Sequence, residues 1–220
     1  MNNSILNTGI EQFITVGIEP LTIEDVVRVA HGHCQVSLPQ QQTWRDFIQK
    51  GADFLDELLE QEGVIYGVTT GYGDSCLVEV PAHQVNELPL HLSRFHGCGL
   101  GKNLELVTAR AVVVTRLCSL ARGYSGVSLA LLERLVWLLN KNVIPVIPSE
   151  GSVGASGDLT PLSYIAGVLV GERDVYYQGQ IVPVQQVYKA KGIEPLILRP
   201  KEGLALMNGT AVMTAMACLN

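Results

Sequence analysis

The sequence predicts a mainly α protein, a helical bundle that carries a small α/β head and one short hairpin. Three observations lead there. Apolar residues recur at helical spacing along most of the chain and surround nearly whole helices between positions 104 and 140. Strand-like patterning is confined to a few residues near 34–38 and 174–184. A chain of 220 residues, 47% of them hydrophobic, can bury a sizeable core as one large domain or two small ones.

In chain order, "LTIEDVVRVAHG" predicts a short helix, with Thr22 as N-cap, Glu24 and Asp25 in the first turn and a stop at Gly32. "CQVSL" is a candidate strand beside it. "TWRDFIQKGADFLDELLEQEG" sets Trp44, Phe47, Ile48, Phe54, Leu55, Leu58 and Leu59 at mostly helical spacing, with a wet opposite face, and ends at Gly63. "VIYGVTTGYGD" mixes β-branched residues with Gly67, Gly71 and Gly73, which suits a tight loop approaching something closely. The stretch 104–122 and "SLALLERLVWLLNKN", separated by Gly123 and Gly126, read as two deep core helices. "NVIPVIPSE" is broken as a strand by Pro145 and Pro148, and a helix is expected from about Asp158 or Leu159. "DVYYQGQIVPV" alternates around Gln178–Gly179 as a hairpin outside the core. After Thr210 the chain is apolar and helix-like, yet it stops without a capping glycine or basic last turn. The expectation is a single unit, residues 1–220, that is either the N-terminal piece of a longer polypeptide or half of an assembly whose other half buries this final helix.

A net charge of −6 with no basic cluster argues against an electrostatic nucleic-acid binder or a membrane-surface protein. The most apolar run, "AVVVTRLCSLARG", is interrupted by Arg116 and Arg122, well short of the roughly 20 residues of a membrane span. Five scattered cysteines without C-x-x-C pairing, after an N-terminus lacking a basic and apolar leader, fit a reducing cytoplasm. His31, His33 and Cys34 offer too few ligands at no standard zinc spacing, so no metal is expected, and His83 and His91 receive no role. Small-molecule chemistry is the remaining expectation.

"GSVGASGDLTPLSYIAG", residues 151–167, carries the chemistry. Gly151, Gly154 and Gly157 are spaced like a phosphate cradle, but no G-K-[ST] ending follows. A nucleophile elbow would need glycine where Asp158 stands. A flexible connector capped by Asp158 is the structural alternative. The fourth reading is backbone cyclisation: the Gly157 amide nitrogen can attack the Ala155 carbonyl only where small side chains and glycine dihedrals permit a compressed turn. Loss of water from that ring, and of the Ser156 hydroxyl, would leave a methylidene-imidazolone, an electrophile made from the chain itself. The following helix would turn its positive end toward it.

That stretch resembles the signature of the histidine and phenylalanine ammonia-lyase family. The resemblance continues through "IYGVTTGYGD", "FHGCGLG", "RGYSGVS" and "LALMNGT", in the family's order and spacing, and so covers nearly all of the chain after about residue 20. It implies the N-terminal portion of the ammonia-lyase (fumarase/aspartase-like) helical-bundle fold. It also implies a 4-methylidene-imidazol-5-one formed from Ala155, Ser156 and Gly157, an amino acid substrate and a homotetramer with shared active sites. Tyr66 matches the family's tyrosine base, which needs a lowered pKa from a helix N-terminus or a nearby cation to work at neutral pH. Asn208 matches an asparagine beside the prosthetic group; read alone it is a turn residue. Phe95 and His96 match a pair that selects the substrate side chain. In relatives, serine then histidine favours histidine, histidine then leucine favours tyrosine, and phenylalanine then leucine favours phenylalanine. Phe then His is a mixture, with Phe95 suited to an aromatic ring and His96 to a polar ring group or, structurally, to a carbonyl. Elimination of ammonia to an α,β-unsaturated acid, or an aminomutase reaction on the same group, follows from the resemblance; a fragment that never closes its ring is the third expectation.

Overall fold

A computed structural model describes residues 13–61, 63–152 and 157–220. The head opens with β1 (Phe13–Thr15), which pairs in parallel with β2 (Gln35–Ser37) across α1 (Ile23–Ala30). Thr22 caps α1 as its sequence predicts: its hydroxyl accepts from Asp25 N at 3.1 Å while the Asp25 carboxylate accepts from Thr22 N at 3.2 Å. Next comes α2 (Gln42–Gln61), which buries Trp44, Ile48, Ala52 and Leu55. Phe47 and Phe54, expected on the same face, stand exposed, and Phe47 meets Tyr124 edge-on instead. Helical spacing locates a stripe, but the width that is covered depends on what lies opposite.

The core is built around α4 (Leu106–Leu120), following α3 (Leu88–His96) and β3 (Leu100–Asn103). Packed against it is α5 (Leu129–Asn140), capped by the Ser128 hydroxyl, which accepts from Leu131 N at 3.3 Å. Leu117, Leu120, Leu131, Leu132, Leu135 and Leu138 are fully buried. "NVIPVIPSE" does form strands, as a correction to the expectation: β4 (Ile144–Pro145) and β5 (Pro148–Glu150). Each is so short and marginal in its sheet that its proline costs little pairing. β3 and β5 pair antiparallel, which sets "FHGCGLG" beside the start of the glycine-rich stretch.

The buried helix α6 (Leu159–Leu169) follows that stretch. The hairpin of β6 (Asp174–Tyr177) and β7 (Gln180–Pro183) turns through Gln178 and Gly179, both at positive φ, as a two-residue turn requires. It is less peripheral than expected, because β6 also pairs with β4 and buries Val175 completely. α7 (Val184–Lys191), α8 (Glu202–Met207) and α9 (Ala211–Leu219) complete the chain. Glu202–Leu219 is, among the described residues, one stretch long and apolar enough to cross a membrane. It is broken at Asn208–Gly209, however, and its α8 half is largely buried while α9 packs on α1 and α4.

Candidate active site

Helices α3, α6 and α8 pack on one another and form the floor of an open cleft of about 550 Å³. Gly203 makes this approach possible: a Cβ there would stand 2.7 Å from the Pro89 Cα of α3. The turn at 64–72 and a short 3₁₀ helix, Gly73–Leu77, form the rim. Gly67 holds that turn at φ +69°, tight against the Tyr72 ring and Leu204.

Four residues singled out from the sequence line this cleft: Tyr66 on the rim, Phe95 and His96 at the end of α3, and Asn208 at the end of α8. The Tyr66 oxygen accepts from Gly73 N at 3.1 Å, so the first N–H of the 3₁₀ helix points at the phenol. Tyr72, its edge-on neighbour with ring centroids 6.4 Å apart, is different. Burial, reinforced by the field of Tyr66, pushes the Tyr72 phenol up to about 12, so it stays protonated.

The His96 Nδ1 lies 3.1 Å from Leu92 O, one helical turn back. A carbonyl only accepts, so Nδ1 carries the proton and Nε2 of the neutral ring is an acceptor. The carbonyl expected of a structural His96 thus engages Nδ1, while the residue also lines the cleft. Phe95 is 80% exposed and rests edge-on against the His96 ring.

Ala155 and Ser156 lie outside the described residues; Gly157 is described. Gly157 adopts φ +91°, and a Cβ on it would stand 2.3 Å from Gly209 O, so no other residue fits. Asp158 follows, fully buried, and does not cap α6. Its Oδ2 accepts from Val212 N at 2.9 Å and Met213 N at 3.1 Å, capping α9 instead, while Oδ1 accepts from the Ser152 hydroxyl at 2.8 Å. The backbone N of Asp158 donates to Gly209 O at 2.7 Å. The two ends of the segment that contains the tripeptide are thus tied together and fastened to the turn after α8. Asn208 is both a turn residue and a lining residue of the cleft.

The fit to the model of "Aromatic amino acid lyase" runs over residues 21–220. The chain belongs to the aromatic amino acid lyase family. It is 40% identical over 206 residues to a histidine ammonia-lyase of Alkaliphilus oremlandii, covering 94% of this chain and 40% of the relative. To an MIO-dependent tyrosine 2,3-aminomutase of Streptomyces globisporus it is 44% identical over 206 residues, covering 94% of this chain and 38% of the relative. The solved structure of a tyrosine aminomutase from Streptomyces globisporus superposes with a TM-score of 0.87 at 42% identity, over 94% of this chain and 39% of that one. The lyase-family chain therefore spans about 40% of the length of the curated relatives it matches.

Tyr72, Asp158 and Arg116 were not singled out as functional by the sequence, although each touches this site. Arg116 carried a signal: a charge inside a long apolar run must be buried and partnered, or the helix must turn.

Proposed function

We propose that this chain supplies the N-terminal part of an aromatic amino acid ammonia-lyase that releases ammonia and an α,β-unsaturated acid. The observation that carries the reading is the convergence of Tyr66, Phe95, His96 and Asn208 on one cleft, beside the tied segment that ends at Gly157. The residues present fit a methylidene-imidazolone made from Ala155, Ser156 and Gly157. Gly157 has the positive φ a compressed turn needs, and the Ser152–Asp158 hydrogen bond holds the segment's ends close. Such a group supplies an electrophile that draws electron density from the substrate amine.

The chain's own residues do the rest. Tyr66 takes the β-proton onto an oxygen that already accepts from the Gly73 N–H, a donor that favours the phenolate form from which the transfer starts. Tyr72, held protonated by burial, gives that phenolate a neutral neighbour. Phe95 offers its face to an aromatic side chain, and the Nε2 of His96 accepts from a ring N–H or phenol O–H. A donor-bearing ring, imidazole or phenol, suits that acceptor better than unsubstituted phenyl, which would leave it unpaired. Asn208, which lines the cleft, is the residue assigned to the substrate amine. Five unpaired cysteines accord with a reducing, cytoplasmic compartment, and a homotetramer enters the proposal from the family resemblance alone.

An aminomutase, returning ammonia to the β-carbon, is the second reading, favoured by the 44% identity to the tyrosine 2,3-aminomutase. Product analysis of the full-length polypeptide by mass spectrometry separates them: unsaturated acid supports the lyase, β-amino acid the mutase. Ser156→Ala in that polypeptide should abolish turnover of both kinds, and wild-type rates in the variant would overturn the whole reading.

A further inference from the structure

Arg116, on α4, is 4% exposed, and no carboxylate pairs with it among the described residues. Its guanidinium donates to Ala205 O and, at 3.0 Å, to Asn208 O, the carbonyls at the end of α8. Its Nε has no partner among the described residues. Burying a charge with one donor unsatisfied costs more than an apolar residue of the same length would, so stability is a weak reason for an arginine here. The guanidinium also fills the space beside Gly209, where a Cβ would stand 2.2 Å from its terminal nitrogen. Gly209 in turn offers the carbonyl that receives Asp158 N and crowds Gly157. One unbroken set of contacts therefore runs from Arg116 through the Asn208–Gly209 turn to the nitrogen-donating residue of the tripeptide.

We propose that Arg116 is a positioning residue for backbone cyclisation, fixing the Asn208–Gly209 turn so that Gly209 presses Gly157 into the reactive conformation. The proposal rests on the cyclisation reading above. In that step the Gly157 nitrogen bonds to the Ala155 carbonyl carbon, and the carbonyl oxygen leaves as water with the amide hydrogens of Gly157 and Ser156. The Ser156 hydroxyl leaves as a second water with the Ser156 α-hydrogen, so atoms balance without an oxidant. Arg116 touches none of these atoms; it acts through the turn, whose carbonyls Ala205 O and Asn208 O it holds.

The test uses the full-length polypeptide, in wild-type form and as Arg116→Met, Arg116→Lys and Gly209→Ala, the last intended to displace the guanidinium without removing it. The fraction of linear tripeptide is measured by peptide mass, as the deficit of two waters, on the folded material, beside the thermal midpoint. Expected is a folded Arg116→Met protein that cyclises at least tenfold more slowly than wild type, with partial rescue by Arg116→Lys and slowing by Gly209→Ala. A purely structural arginine would lower the midpoint and the folded yield while every folded molecule still cyclised at the wild-type rate, and that result overturns the proposal. If Arg116→Met does not fold, Gly209→Ala decides, and wild-type cyclisation there overturns it equally. A wild-type protein with no mass deficit would instead sink the cyclisation reading itself.

Discussion

Tyr66 shows what a single residue can and cannot disclose in advance. Its place between glycines, and the likeness of "IYGVTTGYG" to a known motif, singled it out, but the donor on its oxygen is Gly73 N, which becomes available only because residues 73–77 wind into a 3₁₀ turn. Removing the hydroxyl tests the role directly. In the full-length enzyme Tyr66→Phe should still show the two-water mass deficit while kcat falls by about 10²–10⁴, the usual contribution of a placed base, with KM little changed. His96 is equally local in its logic. Because Nδ1 is engaged by Leu92 O, His96→Leu should cut kcat/KM for substrates with a ring donor far more than for phenylalanine, measured side by side. Arg116 and Asp158 escaped a reading of the sequence because their partners lie far along the chain: Ala205 and Asn208 for one, Val212 and Met213 for the other. Local patterning cannot show a carboxylate reaching past its own helix to cap another.

Among the elements, those with strong periodicity were legible and those made by tertiary contact were not. The capped α1, the deep pair α4 and α5, α6 and the hairpin follow from spacing and turn chemistry. The parallel partner strand Phe13–Thr15, the short α8 and the strands at Pro145 and Pro148 take their form from neighbours. α9 depends on Asp158, since Thr210 makes no side-chain cap of its own. Asp158→Ala should therefore cost on the order of 1–2 kcal/mol for the cap alone, seen as a lowered thermal midpoint of about 3 °C for each kcal/mol. At the far end of α3 the Arg94 guanidinium grips Glu172, its Nε lying 3.1 and 3.0 Å from the two carboxylate oxygens. That hydrogen bonding, with the fields of Arg94 and Arg173 adding and burial opposing, holds the Glu172 carboxyl below its usual range. The unfolded chain then binds the proton more readily, so this contribution is complete above the ordinary glutamate pKa of about 4.3 and is lost as pH falls through the lower, folded value. Glu172→Gln should flatten the acid side of the midpoint-against-pH curve by lowering the midpoint at neutral pH while leaving it little changed in acid.

At the level of the whole molecule, the exposed apolar side chains are many, and some of them stand near the cleft. Leu77 is 93% exposed and Phe95 80%, both near the cleft, and Met213 and Met216 stand out from α9. Patches of this kind ask for a cover, which the relatives, more than twice as long, have residues to provide. The 220-residue polypeptide on its own is expected to self-associate, read by sedimentation, and to keep Ala155, Ser156 and Gly157 linear; an intact mass short by two waters would contradict the second expectation.

The cap that Asp158 places on α9 also orders events in time. Its carboxylate can reach Val212 N and Met213 N only after those residues have been synthesised and have left the ribosome, more than fifty positions behind the tripeptide. A nascent chain shorter than that lacks the clamp, so the proposed electrophile, reactive toward amines and thiols, would form only once the residues that close over its flank have been made.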